Sequence, residues 1–298
     1  PSTEIVKPPE RKLIEPGWYM DLENEDYHGS NGSSSSQVKT LLEKTGAHFD
    51  YDRKHKDHKE TDAMALGTAF HSLTLEPHKF NQDVAVRPKE IKARRGKDWE
   101  AFKAASVGKA IITEGQHKQA QEMAKNVREH PIAGLLVNDI IVESSIYWWY
   151  NSNEVDDDIK YREMCKVRPD GICRNYPVIL DLKSSLDGSF SGFMKSILNY
   201  GYHVSAAMYK DGVNQRQDLH EVTKHFAYTT FVFVVVENFA PYLVSVYELS
   251  AKDLQLGDML YRLAMRRIAI ARDNEWPAYP EGIRETELPA WATRGHVV

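Results

Sequence analysis

Val167-Arg168-Pro169-Asp170-Gly171, followed by Ile179-Leu180-Asp181-Leu182-Lys183, is the stretch on which the fold turns. It reads as Pro-Asp at a turn, then an apolar strand ending in Asp-x-Lys. Side chains alternate along a strand, so Asp181 and Lys183 share one face while Leu182 points into the core. A carboxylate and an ammonium thus stand side by side at a strand end. Asp170 adds a second carboxylate eleven residues earlier (181 − 170). Two carboxylates and a backbone carbonyl, for which Leu182 is placed, suit Mg²⁺ or Mn²⁺, hard cations that take oxygen ligands. Lys183 would orient or deprotonate a water and offset charge on a phosphorane-like transition state. Alone, Asp-x-Lys is equally a surface hairpin with a routine ion pair. The preceding Pro-Asp and strand make the chemical reading worth following.

The surrounding pattern is mixed. A serine of Asn31-Gly32-Ser33-Ser34-Ser35-Ser36 caps a helix through Val38, Leu41 and Leu42. Thr61 to Glu76 reads as a helix with Leu66, Phe70 and Leu73 on one side, ended near Pro77. Trp18 to Tyr27 reads as a short strand and turn, Asp83 to Arg87 as a strand, Trp99 to Ala105 and Thr113 to His130 as helices. Strands follow at Ile140–Tyr150, Tyr161–Pro169 and Pro177–Lys183, with a polar tip at Asn151–Asp158. Helices at Phe190–Asn199 and Tyr202–Val213 are broken at Gly201. The β-branched run Phe226–Glu237 is a buried strand beside Tyr242–Leu249, and Ala251–Asp273 is a long amphipathic helix. The expectation is an α/β chain: a central mixed sheet with helices on both sides, in one domain over residues 16–298. Residues 1–15 read as an extended lead-in, or the scar of a cut from a longer polypeptide.

Bulk properties narrow the chemistry. The 298 residues can bury a full core. No apolar run approaches the roughly 20 residues that cross a bilayer. Two cysteines, Cys165 and Cys173, indicate neither a disulfide framework nor a zinc cluster, and a reducing cytoplasm is the natural setting. The formal net charge of −5 argues modestly against nucleic acid unless a local basic surface does the binding. Walker A, His-Glu-x-x-His, Gly-x-Ser-x-Gly and dinucleotide glycine patterns are absent, so ATP-driven, zinc-protease, esterase and NAD chemistry lack support.

Other residues offer two readings each. His71 follows Gly67 by one helical turn, which leaves room for a metal or a backbone; the alternative is a satisfied surface histidine. Glu143, before Ser144-Ser145-Ile146-Tyr147-Trp148, completes a metal shell or faces solvent. Tyr202, Ser205 or Ala206, and Tyr209 form a helical stripe that reaches phosphates or lies in the core. Arg94, Arg95 and Lys97 bind phosphate or form a solvated loop. His55-Lys56-Asp57-His58 reads as exposed, and Asp156-Asp157-Asp158 as a hairpin tip without a calcium loop's glycine and glutamate.

Taken in order, the motifs resemble the PD-(D/E)xK nuclease superfamily, and within it the exonuclease domain of RecE (exonuclease VIII). They are Leu66-Gly67-Thr68-Ala69-Phe70-His71 with Leu75-Glu76-Pro77, Glu143-Ser144-Ser145-Ile146-Tyr147-Trp148, Arg168-Pro169-Asp170, Asp181-Leu182-Lys183, Tyr202-His203-Val204, Trp276-Pro277 and Leu288-Pro289-Ala290-Trp291. The resemblance runs from about Trp18 to Trp291. It implies a Mg²⁺-dependent 5′→3′ exonuclease on linear double-stranded DNA, with Mn²⁺ able to substitute, that leaves 3′ tails for a RecT-like annealing partner in recombination. It implies His71, Asp170 and Asp181 as metal ligands and Lys183 as the catalytic lysine. It also implies a homo-oligomeric ring around DNA, in a bacterial or phage-infected cytoplasm. Ser205 stands where many relatives carry Gln. The rival readings are a structure-specific endonuclease on the same fold, a non-catalytic DNA-binding scaffold, and a metal-dependent phosphohydrolase of small molecules.

Overall fold

The computed structural model describes residues 12–55, 61–152, 160–215, 222–224 and 227–288. In chain order, β1 (Gly17–Tyr19) and α1 (Asn24–Gly29) precede α2 (Ser35–Glu43), α3 (Gly46–Lys54) and α4 (Asp62–Leu75). A 3₁₀ turn at Pro77–Lys79 and the short α5 (Phe80–Asp83) lead to β2 (Val84–Arg87), α6 (Lys97–Ala105), β3 (Ala110–Thr113), α7 (Glu114–Glu129) and α8 (Ala133–Val137). Next come β4 (Ile140–Val142), β5 (Ser145–Asn151), β6 (Arg162–Val167), β7 (Gly171–Cys173) and β8 (Val178–Ser185). The chain continues through α9 (Phe190–Asn199), α10 (Tyr202–Asn214), β9 (Thr230–Glu237), β10 (Val244–Glu248) and α11 (Ala251–Asp273).

Local signals set many of these boundaries. Gln37 Oε1 accepts the Ser34 N–H at 3.0 Å, so a serine does start α2. Thr61 Oγ1 accepts the Met64 N–H at 3.2 Å and caps α4. Gly201, at φ 60°, breaks α9 from α10 as the sequence anticipates.

The central sheet has the order β10-β9-β8-β7-β4. It is mixed: β8 and β9 run parallel, the other pairs antiparallel. Alternation splits its side chains between two cores. Ile179, Phe231, Phe233 and Val235 pack with residues of α2, α9, α10 and α11. Leu180, Leu182, Val234 and Val236 pack with residues of α4 and α7 on the other face. Each such fully buried Val, Leu or Phe is worth about 1.5–3 kcal/mol of transfer free energy. Helices therefore cover both faces of a mixed sheet, as expected.

The structure differs from the expected elements at several points. The expected strand Ile140–Tyr150 is two strands in different sheets: β4 closes the central sheet, while β5 lies in a three-stranded sheet β1-β5-β6. The break falls at Glu143, which has φ 43°. The expected strand Tyr161–Pro169 stops at Val167, and β7 begins at Gly171 in the central sheet. A Cβ on Gly171 would lie 2.8 Å from Ile140 Cδ1, so the return to that sheet requires glycine. Strand β2 pairs in parallel with the unanticipated β3. The buried strand expected from Phe226 starts at Thr230; Phe226 itself lies outside the described residues. Lys12 bridges Ser30, and Ile14 is buried with its N–H donated to Asn31 Oδ1 at 2.9 Å, so this part of the expected lead-in is packed. Among the described residues no helix is long and apolar enough to cross a membrane.

Candidate active site

The two changes of sheet, at 143 and at 168–170, lie side by side. The Glu143 N–H donates to the Asp170 carbonyl at 3.3 Å and ties them together. Pairing of β7 with β8 ends at Gly171 opposite Leu180. Beyond it the Leu182 N–H donates to Asp170 Oδ2 at 2.6 Å, so a side chain continues the ladder where the strand has stopped. A strand residue's N–H and C=O leave the same edge, which places the Leu182 carbonyl on the Asp170 side. α4 brings His71 to the same spot, with Nδ1 3.6 Å from Asp170 Oδ1. A Cβ on Gly67, one turn earlier, would have nothing within 4 Å, so the room expected there exists.

Asp181 and Lys183 form an ion pair on the opposite face of β8 from Leu182. Burial raises the Asp181 carboxyl above its ordinary range, and the Asp170 charge adds to this, while Lys183 opposes it. Burial also raises Glu143, again with Asp170 adding and with His71 and Arg168 opposing. Burial disfavours the Lys183 ammonium, but Asp181 and Asp170 outweigh that and hold it charged above the usual lysine range. Asp170 therefore stands close enough to act on both Asp181 and Glu143, with His71 acting on the same two carboxyls in the opposite sense. An imidazole, carboxylate oxygens and a carbonyl are the donors a hard divalent cation accepts. Among the described residues no three His, Cys, Asp or Glu side chains close into a ligand cage by themselves.

Beside Lys183 opens a cleft of about 180 Å³ that Asp181, Lys183, Tyr202, Ser205 and Tyr209 line together with Ser35 and Lys39 of α2. The α10 stripe anticipated from sequence thus faces the cleft. Burial, with the charges of Asp181 and Asp170, pushes the Tyr209 hydroxyl up. Burial, then Lys183, pushes the Lys39 ammonium down. Sequence reasoning missed Ser35 and Lys39, because a serine at a helix start and a lysine on an amphipathic helix look like a cap and a solvated face. Arg168 was quoted without a role. Its guanidinium donates to Ser145 Oγ at 2.8 Å and the Leu22 carbonyl at 2.7 Å, and lies 4.3 Å from the Tyr27 ring centre, stitching the amino-terminal segment to the seam.

The basic loop sits elsewhere. Arg94, Arg95 and Lys97 are exposed, and Arg94 pairs with Asp62 at the start of α4. Asp62 precedes His71 by nine residues, about 14 Å along a helix. Trp276 stacks on Phe49 at 5.4 Å, and the Pro277 carbonyl accepts the Ala47 N–H at 3.1 Å, so the first closing motif caps α3. Lys56, Asp57 and His58, the acidic run Asp156-Asp157-Asp158 and Pro289–Trp291 lie outside the described residues.

A mixed sheet with helices on both faces, a Pro-Asp turn, an Asp-x-Lys strand end and an incoming helical histidine define a domain of the PD-(D/E)xK nuclease type. The chain belongs to the family described as a PDDEXK-like domain of unknown function, DUF3799, whose model matches residues 34–287. It is similar in fold to a crystal structure of a candidate exonuclease from Eubacterium rectale, with a TM-score of 0.58 and 12% identity over 93% of this chain and 99% of that one. The crystal structure of SSO0001 overlaps more weakly, with a TM-score of 0.32 and 12% identity over 81% and 77% of the two chains, and bears no argument. No curated protein matches the chain.

Proposed function

We propose that the protein is a Mg²⁺-dependent deoxyribonuclease that degrades linear double-stranded DNA 5′→3′ from its ends and leaves 3′ single strands for recombination. The observation that carries the nuclease reading is the convergence of His71, Glu143, Asp170 and Asp181 beside the Lys183 ammonium. End-dependence, polarity, a RecT-like annealing partner and a ring-shaped homo-oligomer rest on the motif resemblance to RecE. A ring with a basic channel would reconcile DNA binding with a net charge of −5.

His71, Asp170, Asp181 and the Leu182 carbonyl would hold the cation, with Glu143 beside Asp170. When bound, the cation supplies Lewis-acid polarisation of the phosphodiester and a lower pKa for a coordinated water. The chain does the rest by placement. Asp170, pinned by the Leu182 N–H, fixes the relation between the turn and the strand end. Lys183, paired with Asp181 and 5.4 Å from the Tyr202 ring centre, orients the attacking water or donates to a phosphoryl oxygen. Asp181 keeps that ammonium in place. The test is release of label from end-labelled linear duplex, 5′-phosphorylated or not, with covalently closed duplex alongside. Lys183→Ala and Asp181→Ala should each lose at least about 10²-fold. Digestion of closed circles would remove the end-dependent reading, and Mg²⁺-independent function that tolerates Lys183→Ala would leave only a DNA-binding scaffold.

A further inference from the structure

Lys39 occupies a seat built for it. Its stem crosses the α9–α10 junction over Gly201, where φ is 60° and a Cβ would lie 3.0 Å from Lys39 Cδ. The Lys39 Nζ donates to the Tyr200 carbonyl at 2.8 Å. It lies 5.9 Å from the centre of the Tyr202 ring, the ring that also carries the Lys183 ammonium at 5.4 Å. The Tyr200 and Tyr202 rings stack at 5.5 Å and stiffen this seat.

Charge in the cleft does not balance. Lys183 is paired with Asp181. Among the described residues Lys39 has no carboxylate within ion-pair distance. Two half-buried ammonium groups therefore face a cleft whose lining holds one carboxylate, Asp181, while Asp170 acts on Lys183 and Glu43 on Lys39 from outside it; Ser35, Tyr202, Ser205 and Tyr209 supply hydroxyls. Like charges at close range repel, and the arrangement becomes favourable when an anion enters. One ammonium has three donors, of which the Tyr200 carbonyl takes one. A volume of about 180 Å³ accepts a tetrahedral phosphate with a few waters, each of which takes about 30 Å³.

We infer that Lys39 is a substrate-binding residue whose ammonium grips a backbone phosphate of the nucleic acid on the Tyr200-Gly201-Tyr202 seat. This rests on the nuclease reading of the same cleft and adds a phosphate contact from α2, an element outside the carboxylate cluster. The competing role is structural. Tyr200 is the C-cap of α9, and a lysine donating to a terminal carbonyl stabilises a helix end whether or not DNA binds.

Salt dependence separates the two roles, because only a phosphate contact releases a counterion. The full chain is titrated onto fluorescent duplex DNA with Ca²⁺ in place of Mg²⁺, over a series of salt concentrations, and thermal unfolding is recorded alongside. Lys39→Met should weaken binding at least about 10-fold and lower the slope of log K against log[salt] by about 0.9. Lys39→Arg should restore most of both, while Lys118→Met, at an exposed position on α7, should keep wild-type values. A wild-type slope in Lys39→Met, with or without a lower unfolding temperature, would overturn the inference and leave a helix cap. Absence of binding by the wild type at every salt concentration would overturn the nuclease reading and this inference with it.

Discussion

Glu143 should be replaceable by glycine with a gain in stability and a loss of activity. Its φ of 43° lies in the left-handed region, where an L-residue with a side chain pays about 1–2 kcal/mol. Glycine adopts that backbone freely but returns about 0.5–1 kcal/mol through the greater entropy of its unfolded chain. Glycine also removes a carboxylate that burial and Asp170 disfavour. The sum for the metal-free protein is a gain of about 1 kcal/mol, or a rise in Tm of roughly 1.5–2 °C for 298 residues. Glu143→Gln keeps the backbone strain and removes only the charge, so its rise should be smaller. Activity should run the other way: both variants should cleave linear duplex at least about 10-fold more slowly, as expected when a charged group at the reacting centre is lost. Saturating Mn²⁺ should raise the wild-type Tm more than that of either variant, because a ligand stabilises the state that binds it. Calorimetry with and without Mn²⁺, paired with single-turnover cleavage, measures all of this. A lower Tm in Glu143→Gly combined with full activity in Glu143→Gln would show that the strained conformation has nothing to do with the site.

Three further outcomes follow from the packing and electrostatics. Asp181 and Glu143 have raised carboxyl pKa values, so above the ordinary carboxylate range the folded chain holds protons that the unfolded chain releases. Their contribution to metal-free stability therefore falls as pH rises through the raised values; urea midpoints of wild type and Asp181→Asn should diverge over that window in Asn's favour, and a constant difference would contradict it. A Cβ on Gly257 would sit 2.1 Å from the His203 carbonyl oxygen at the α10–α11 crossing, so Gly257→Ala should lose about 1–3 kcal/mol or more in denaturant midpoint. An unchanged midpoint would mean the two helices are less closely packed than described. Burial pushes the Cys173 thiol up to about 12, so its thiolate at pH 8 should be about 10³-fold scarcer than that of an ordinary thiol. Prompt alkylation of the native protein at Cys173 would contradict its burial.

Much of the fold is local in origin, and that part is legible in the sequence. The 3.6-residue pattern of α11, the cap of α4 at Thr61 and the break at Gly201 depend on neighbours a few residues away. The β-branched run of β9 announces a buried strand for the same reason, although its start needed the structure. The seam is different. Nothing within Ile140–Tyr150 says that the chain changes sheets at Glu143, because the break is fixed by the carbonyl of Asp170, which is distant in sequence. β3 was hidden because its four residues run straight into the capped start of α7. In the site, Asp170, Asp181 and Lys183 stood out as a spaced motif and His71 through the family resemblance, and the fold brings the four near one another. Lys39 was not, because a lysine on an amphipathic helix ordinarily faces water, and only the fold turns it into a cleft. Arg94, Arg95 and Lys97 stood out as a basic patch by composition, and the fold leaves all three exposed, with Arg94 paired to Asp62.

The most direct test of the central claim is crystallographic: Mn²⁺ soaked into the protein and located by its anomalous signal. The account predicts a peak bounded by Asp170 and His71, with Asp170 Oδ1 and Asp181 drawn to about 2.0–2.3 Å of the ion and Lys183 left outside its shell. No peak at millimolar Mn²⁺, or a peak confined to carboxylates away from the seam, would contradict it.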